Sequence, residues 1–269
     1  MLFVVLPAFN EEAGLKNLLD EIESSCKEIP TQIIIVNDAS TDQTLQVAQE
    51  YAKGYSNVQI LSHEQNKGLG GALMTGFEHA ISLRSECVEQ RVEAEQGRQE
   101  GYTEDVILTM DADNTHPADR IPIMLKEIYS GADLVVASRY APGGEQYGLS
   151  LVRRMLSWGA GRVMSFFFPI TGLKDYSCGY RAYRASILES VYKSYGGQMI
   201  ENRSFAAMVE LLIKVVGFCK EVREIPFSLH YEKKRGKSKM KIWSTIFGYI
   251  ALIYRLKKET WGSMEWAGE

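Results

Sequence analysis

The chain has 269 residues, enough to bury a full core as one large α/β domain or two small ones. Its 34 acidic against 30 basic side chains argue against a general nucleic-acid binder, and an apolar fraction of 45% is that of a soluble globular chain. The four cysteines, Cys26, Cys87, Cys178 and Cys219, lack metal-ligand spacing and read as reduced cytosolic thiols.

The opening MLFVVLP has neither the basic start nor the length of a signal peptide, and no apolar run reaches bilayer length. Strand and helix then alternate. Residues 2–6 predict a strand, and 11–26 a helix with Leu15, Leu18, Leu19 and Ile22 on one face. A strand at 32–36, a helix at 41–53 and a strand at 58–61 follow. A glycine-rich turn opens a helix at 70–83. Residues 85–105, SECVEQRVEAEQGRQEGYTED, interrupt the rhythm as an acidic, exposed insertion that extends this helix. A strand at 106–110, a helix at 118–129 and a strand at 134–137 complete the first half. Such alternation implies a mainly parallel sheet with right-handed crossovers and a ligand site beyond the strands' carboxyl ends. The second half offers apolar, aromatic-rich helices at 151–168 and 242–256 and a core helix at 205–216. Residues 219–230 read as a strand, with Pro226 at an edge.

The most informative segment is Asp111-Ala112-Asp113, between the apolar run 106–110 and the turn residues Asn114-Thr115-His116-Pro117. Two carboxylates one residue apart at a strand's end form a hard-oxygen site. It suits Mg²⁺ or Mn²⁺ held against a diphosphate. Three other strand ends carry comparable segments: Pro7-Ala8-Phe9-Asn10-Glu11, then Asn37-Asp38-Ala39-Ser40-Thr41-Asp42, then Asn66-Lys67-Gly68-Leu69-Gly70-Gly71-Ala72.

Together these resemble the motifs of family 2 glycosyltransferases with a GT-A nucleotide-sugar-binding fold. PAFNE stands for P-x-Y-N-E, VNDASTDQT for V-D-D-x-S-x-D-x-T, NKGLGGA for N-x-G-x-x-x-A and DADNTHP for D-A-D-x-Q-H-P. The resemblance implies that Pro7, Phe9 and Glu11 frame base and ribose, and that Asp38 accepts hydrogen bonds from the base. Lys67 and Gly68 would lie near the nucleotide. Asp111, Ala112 and Asp113 would serve donor and metal, with Asp113 the more direct ligand. Thr115 replaces a family glutamine, and His116 is expected to brace the loop.

Further motifs resemble the polyprenyl-phosphate branch, best known as dolichyl-phosphate mannosyltransferases. ASRY at 137–140 resembles G-S-R-Y, RRMLS at 153–157 resembles R-R-x-x-S, DYSCGYRAYR at 175–184 resembles D-x-T-x-G-F-R-A-Y-R, and GKSK at 236–239 resembles G-x-S-K. A lipid monophosphate is largely ionised near neutral pH, so it attacks without a general base and needs cations to position it. Arg139 and Arg154 are the leading candidates, with Ser238 assisting, and Lys233 or Arg235 for a further family arginine. The alternatives are a hydroxyl acceptor, with Asp175 as base, and an inactive nucleotide-sugar-binding partner protein. The Q-x-x-R-W motif of processive synthases is absent.

Residues 1–230 are thus read as the catalytic domain. Residues 231–269 form a basic loop and an amphipathic helix, KKRGKSKMK followed by Trp243, Phe247, Ile250 and Tyr254. Residues 242–256 would span about 22 Å, too short for a hydrocarbon core but suited to the interface. The expected setting is peripheral, on the cytosolic face of a membrane, with 151–168 as a second docking helix or with an anchoring membrane subunit.

Overall fold

A computed structural model describes the backbone of residues 1–94, 104–234 and 242–265, and the side chains of 1–88, 104–151, 153–234 and 247–258. The apolar runs Leu2–Ala8 (β1), Thr31–Asn37 (β2), Val58–Ser62 (β3), Val106–Thr109 (β4) and Leu134–Ser138 (β5) become parallel strands. Glu145–Tyr147 (β6) lies apart. Arg181–Arg184 (β7), Val222–Pro226 (β8) and Ser228–His230 (β9) follow. The main sheet runs β3-β2-β1-β4-β7-β5-β8, and β6 pairs with β9 in a separate ribbon. Every residue of β4 and β5 is buried, as a parallel sheet covered on both faces requires.

The helices are Leu15–Ser25 (α1), Thr44–Ala52 (α2), Gly68–Ala94 (α3), Ile121–Tyr129 (α4), Leu151–Phe167 (α5), Ala185–Tyr195 (α6), Ala206–Val216 (α7) and Ile242–Glu265 (α8). Helix α3 packs on β1 and β2, and α8 lies against α5 and α7. Helix α3 continues into the acidic segment as far as Ala94, and residues 95–103 lie outside the described part. All four cysteines are free.

Helix α6 and strand β6 have no counterpart in the sequence reading, and two further differences bear on the site. The strand expected at 219–230 is broken into β8 and β9 after Pro226, and β8 takes the sheet edge beside β5. Strand β7 has no counterpart in that reading, because Arg-Ala-Tyr-Arg lacks an apolar run. It enters antiparallel between β4 and β5. Its Arg181 is fully buried and donates to the carbonyls of Met208 (2.6 Å) and Tyr176 (2.8 Å), which makes a charged residue tolerable there. The antiparallel insertion carries residues 175–180 to the carboxyl edge of the parallel strands.

Candidate active site

The sheet order changes direction at β1, whose neighbours are β2 and β4, so a crevice opens at their carboxyl ends. The loops flanking it contain all three non-glycine residues with left-handed backbone among the described residues: Asn10, Ala39 and Asn114. Such backbone costs about 1 kcal/mol each and persists where neighbours enforce it. Here Asn10 Oδ1 accepts from Thr41 N (2.7 Å), Ser40 Oγ accepts from Asn10 N (3.0 Å), and Thr44 Oγ1 accepts from Glu11 N (2.8 Å). The first two loops are therefore laced into one wall.

A cleft of about 740 Å³ lies on this edge. It is lined by Pro7, Phe9 and Glu11 after β1, by Asp38 after β2, by Lys67 and Gly68 at the start of α3, and by Asp111, Ala112 and Asp113 after β4. Arg139 after β5 lines it too.

Beside α3, Asp38 is engaged by the protein itself. Its Oδ1 lies 2.7 Å from His63 Nδ1 and accepts from Lys67 N (2.7 Å), while Oδ2 accepts from Gly68 N (2.8 Å). A carboxylate offers about four acceptor positions, so one remains for a ligand. His63 Nε2 lies 2.9 Å from Thr75 Oγ1, which fixes the ring. Gly68 has φ +77, and a Cβ there would run into the backbone carbonyl of Arg203. The glycine is thus needed for the close approach of the 200–205 segment, which adds Arg203, Ser204 and Phe205 to the cleft wall.

The two triplet carboxylates are in different environments. Burial, assisted by the charge of Asp113, holds the Asp111 carboxyl above the usual range, against the pull of Lys234 and Arg139. Burial acts on Asp113 in the same sense. There the adjacent Lys234 ammonium and hydrogen bonds from Lys234 and Thr115 prevail and lower its pKa. Thr115 donates to Asp113 Oδ1 through Oγ1 (2.7 Å) and N (3.1 Å). Lys234 bonds Oδ2. His116 Nδ1 accepts from Asp111 N (3.2 Å), and its ring stacks on Tyr180, so it braces the loop. The donor set fits a hard divalent ion: two carboxylates on one cleft wall, with no cluster of three or more His, Cys, Asp or Glu among the described residues to close the coordination shell. Such an ion would draw its other ligands from a diphosphate and water.

The other end is cationic and apolar, lined by Arg153, Leu156, Ser157, Ala160 and Tyr249 beside Arg139 and Ser177. Arg139 is clamped on Asp175 through Nε (2.8 Å) and Nη2 (2.8 Å) and also donates to Ser177 Oγ (2.8 Å), which leaves Nη1 as the group a ligand can use. Asp175 is fully buried, lies outside the cleft lining and accepts further bonds from the backbone of Arg139, Ser177 and Cys178. It has no access to a substrate hydroxyl. Among the described residues the cleft's carboxylates are Glu11, Asp38, Asp111 and Asp113, and Asp111 lies within the electrostatic reach of Arg139.

Arg154 is on the exposed side of α5, outside the lining. Its neighbour Arg153 points to the cleft, donating to Tyr231 Oη (2.7 Å). The signal for Arg153 was present in the sequence: it stands four residues before Ser157, hence on the same helix face. Ser238 and Arg235 fall outside the described residues. Lys233 is a surface residue 3.7 Å from Glu21. Lys234 and His63 escaped the sequence reading, the first hidden within a basic run and the second in no motif.

The fold is the GT-A fold. The chain belongs to glycosyl transferase family 2, whose sequence pattern matches residues 3–82 and 100–192 and breaks across the acidic insertion. It is 32% identical to a dolichol-phosphate mannosyltransferase of Pyrococcus furiosus over 99% of this chain, and spans 64% of that protein's length. It is 30% identical to an undecaprenyl-phosphate mannosyltransferase of Micrococcus luteus, covering 88% of this chain and 86% of the relative. In structure it is similar to glucosyl-3-phosphoglycerate synthase of Mycobacterium tuberculosis, solved with Mn²⁺, UDP and phosphoglyceric acid. The TM-score is 0.63 at 18% identity, over 94% of this chain and 78% of the other.

Proposed function

We propose that the protein is an inverting hexosyltransferase that moves a sugar from a GDP- or UDP-linked donor to a polyprenyl phosphate at a membrane surface. One observation carries this reading: two guanidiniums, Arg139 and Arg153, line the cleft with Ser157 and Ser177, and Asp175, the carboxylate paired with Arg139, is fully buried outside the lining. A hydroxyl acceptor needs a base to take its proton, whereas an ionised phosphate needs only cations that hold it in line. The names of the P. furiosus and M. luteus relatives support the same acceptor class.

In this reading Pro7, Phe9, Asp38, Lys67 and Gly68 bind the nucleotide, and Asp111 and Asp113 hold Mg²⁺ or Mn²⁺, with Asp113 the more direct ligand. The ion, when bound, neutralises charge on the departing diphosphate. Arg153 and the Nη1 group of Arg139 orient the acceptor phosphate, Arg139 being kept in place by Asp175. Attack from the face opposite the nucleotide inverts the anomeric centre.

Access to a lipid fits the outer faces of α5 and α8. Leu151, Met155, Trp158 and Phe166 on α5 are exposed, as are Phe247, Ile250 and Tyr254 on α8, while Leu252 and Leu256 face inward. Lys257 lies over the Phe168 ring and joins the two helices. No helix among the described residues is long and apolar enough to cross a membrane. A solvent-facing apolar strip with lysines beside it suits the plane of a bilayer surface. The segment expected to dock thus also gives Tyr231, Lys234 and Tyr249 to the cleft, while the exposed face of α8 meets the cytosolic face of a membrane, with or without an anchoring subunit.

The test is transfer of labelled sugar from a panel of GDP- and UDP-sugars to polyprenyl phosphate with Mn²⁺, read as label in the organic phase. Lipid-linked label from one donor, abolished by Asp113→Ala, is expected. Donor binding without transfer to any polyprenyl phosphate would refute the acceptor assignment.

A further inference from the structure

The ammonium of Lys234 rests on the carboxylate that the donor-site reading gives to the metal. It bonds Asp113 Oδ2 and stands 3.8 Å from Glu11 Oε1, with its side chain 11% exposed. Burial works against its charge, yet Asp113 and Glu11 keep its pKa above the ordinary lysine value. The backbone around it is tied on both sides of the cleft. Lys234 N donates to Tyr231 O (3.2 Å), Tyr231 Oη accepts from Arg153 (2.7 Å), and His230 N donates to Thr115 O (3.1 Å). Thr115 is the residue that holds the other oxygen of Asp113. The 230–234 segment therefore runs from α5 to the triplet loop and delivers one largely buried cation there.

That arrangement answers an electrostatic problem. Asp111, Asp113 and Glu11 share one wall of the cleft, and carboxylates brought together out of water repel one another unless a cation accompanies them. A divalent ion at Asp113 would take the oxygen that Lys234 now holds and would repel the ammonium. The strongest anion then within its surroundings is the donor's diphosphate, which becomes more negative as the sugar leaves.

We propose that Lys234 is a donor-binding residue with two successive partners. It neutralises Asp113 while the cleft is empty, and it passes to the donor's diphosphate when a divalent ion takes that carboxylate. The proposal rests on the donor-site reading above. It gives Lys234 opposite effects on the two ligands: it competes with the metal and assists the nucleotide. A residue that merely supported the fold would weaken both on removal.

The experiment is calorimetric titration of the full chain, first with Mn²⁺ alone and then with UDP and GDP at saturating Mn²⁺. It compares the unmodified protein with Lys234→Gln, Lys234→Arg and Lys233→Gln. Lys233 sits at the surface beside Glu21, so its loss removes the same charge away from the cleft. Lys234→Gln is expected to bind Mn²⁺ about tenfold tighter and the nucleoside diphosphate about tenfold weaker, the scale of one charge-assisted hydrogen bond. Lys234→Arg, which keeps the charge, should return both affinities toward the unmodified values and guards against a folding defect in the glutamine variant. Lys233→Gln should change neither. Unchanged or weaker Mn²⁺ binding by a folded Lys234→Gln protein would overturn the proposal, as would unchanged nucleotide binding. If the unmodified protein binds neither Mn²⁺ nor a nucleoside diphosphate, the donor-site reading itself fails and this inference falls with it.

Discussion

Two adjacent arginines on α5 offer a sharp test, because the structure separates them by one helical step of about 100°. Arg153 lines the cleft, donates to Tyr231 Oη at 2.7 Å and lies a turn before Ser157, whereas Arg154 is exposed outside the lining. A guanidinium bond to a phosphate contributes about 1.5–3 kcal/mol when desolvated. Arg153→Ala should therefore lower kcat/KM for the lipid phosphate by about 10- to 150-fold. Arg154→Ala, a surface change, should stay within about 0.5 kcal/mol, or roughly twofold. The assay is initial rate against acceptor concentration at saturating donor, with KM for the donor measured in parallel and expected to hold for both. An Arg154→Ala protein as impaired as Arg153→Ala, or more so, would refute the placement of the acceptor phosphate.

Other outcomes follow from the same geometry. Burial alone would raise the Asp175 pKa, and the Arg139 pair more than offsets this, so its folded value lies below the usual carboxylate range. Its stabilising contribution is then complete above the unfolded value of about 3.9 and is lost as pH falls through the folded value. Asp175→Asn should cost about 3–5 kcal/mol at pH 7, and the gap in urea midpoints should begin to narrow below about pH 4 and close only below the folded value; a gap independent of pH contradicts the ion-pair account. Gly68→Ala meets both a left-handed backbone and the Arg203 carbonyl, and should lower Tm by at least about 2–4 °C per kcal/mol of strain. A Tm equal to that of the parent would show that the 200–205 segment yields freely. Serine at Phe247, Ile250 and Tyr254 together should reduce co-sedimentation with anionic vesicles about tenfold or more, each residue forfeiting part of the 1.5–3 kcal/mol of a buried apolar side chain, or about that order. Unchanged partitioning would remove α8 from the membrane contact.

The first half of the chain was readable because its strands are unbroken apolar runs and its motifs sit in the loops after them. Pro7, Phe9, Asp38, Lys67 and the triplet converge on one cleft as the parallel alternation requires. Strand β7 was not readable, since Arg181 makes its run look like a loop and only the carbonyls of Met208 and Tyr176 make its burial tolerable. The same long-range placement hides the pairing of Asp175, named as a candidate base, with Arg139, 36 residues away. Arg153 and Lys234 illustrate a finer limit. Each adjoins another basic residue, and local pattern cannot say which of two neighbours turns inward until the helix face or the path of the 230–234 segment is known. Asp38 was legible as a donor-end carboxylate, but its bonds to His63 and the Lys67 and Gly68 amides depend on α3 folding back against β2.

In the proposed reaction the nucleophile is a phosphate held by arginines and needs no base. The most direct measurement compares polyprenyl phosphate with the matching free polyprenol as acceptors, at one donor concentration and with Mn²⁺. Transfer to the phosphate with none to the alcohol across pH 6–9 is expected, since Arg139 and Arg153 line the cleft to hold an ionised phosphate and Asp175 is buried outside it. Equal or faster transfer to the alcohol would contradict the account.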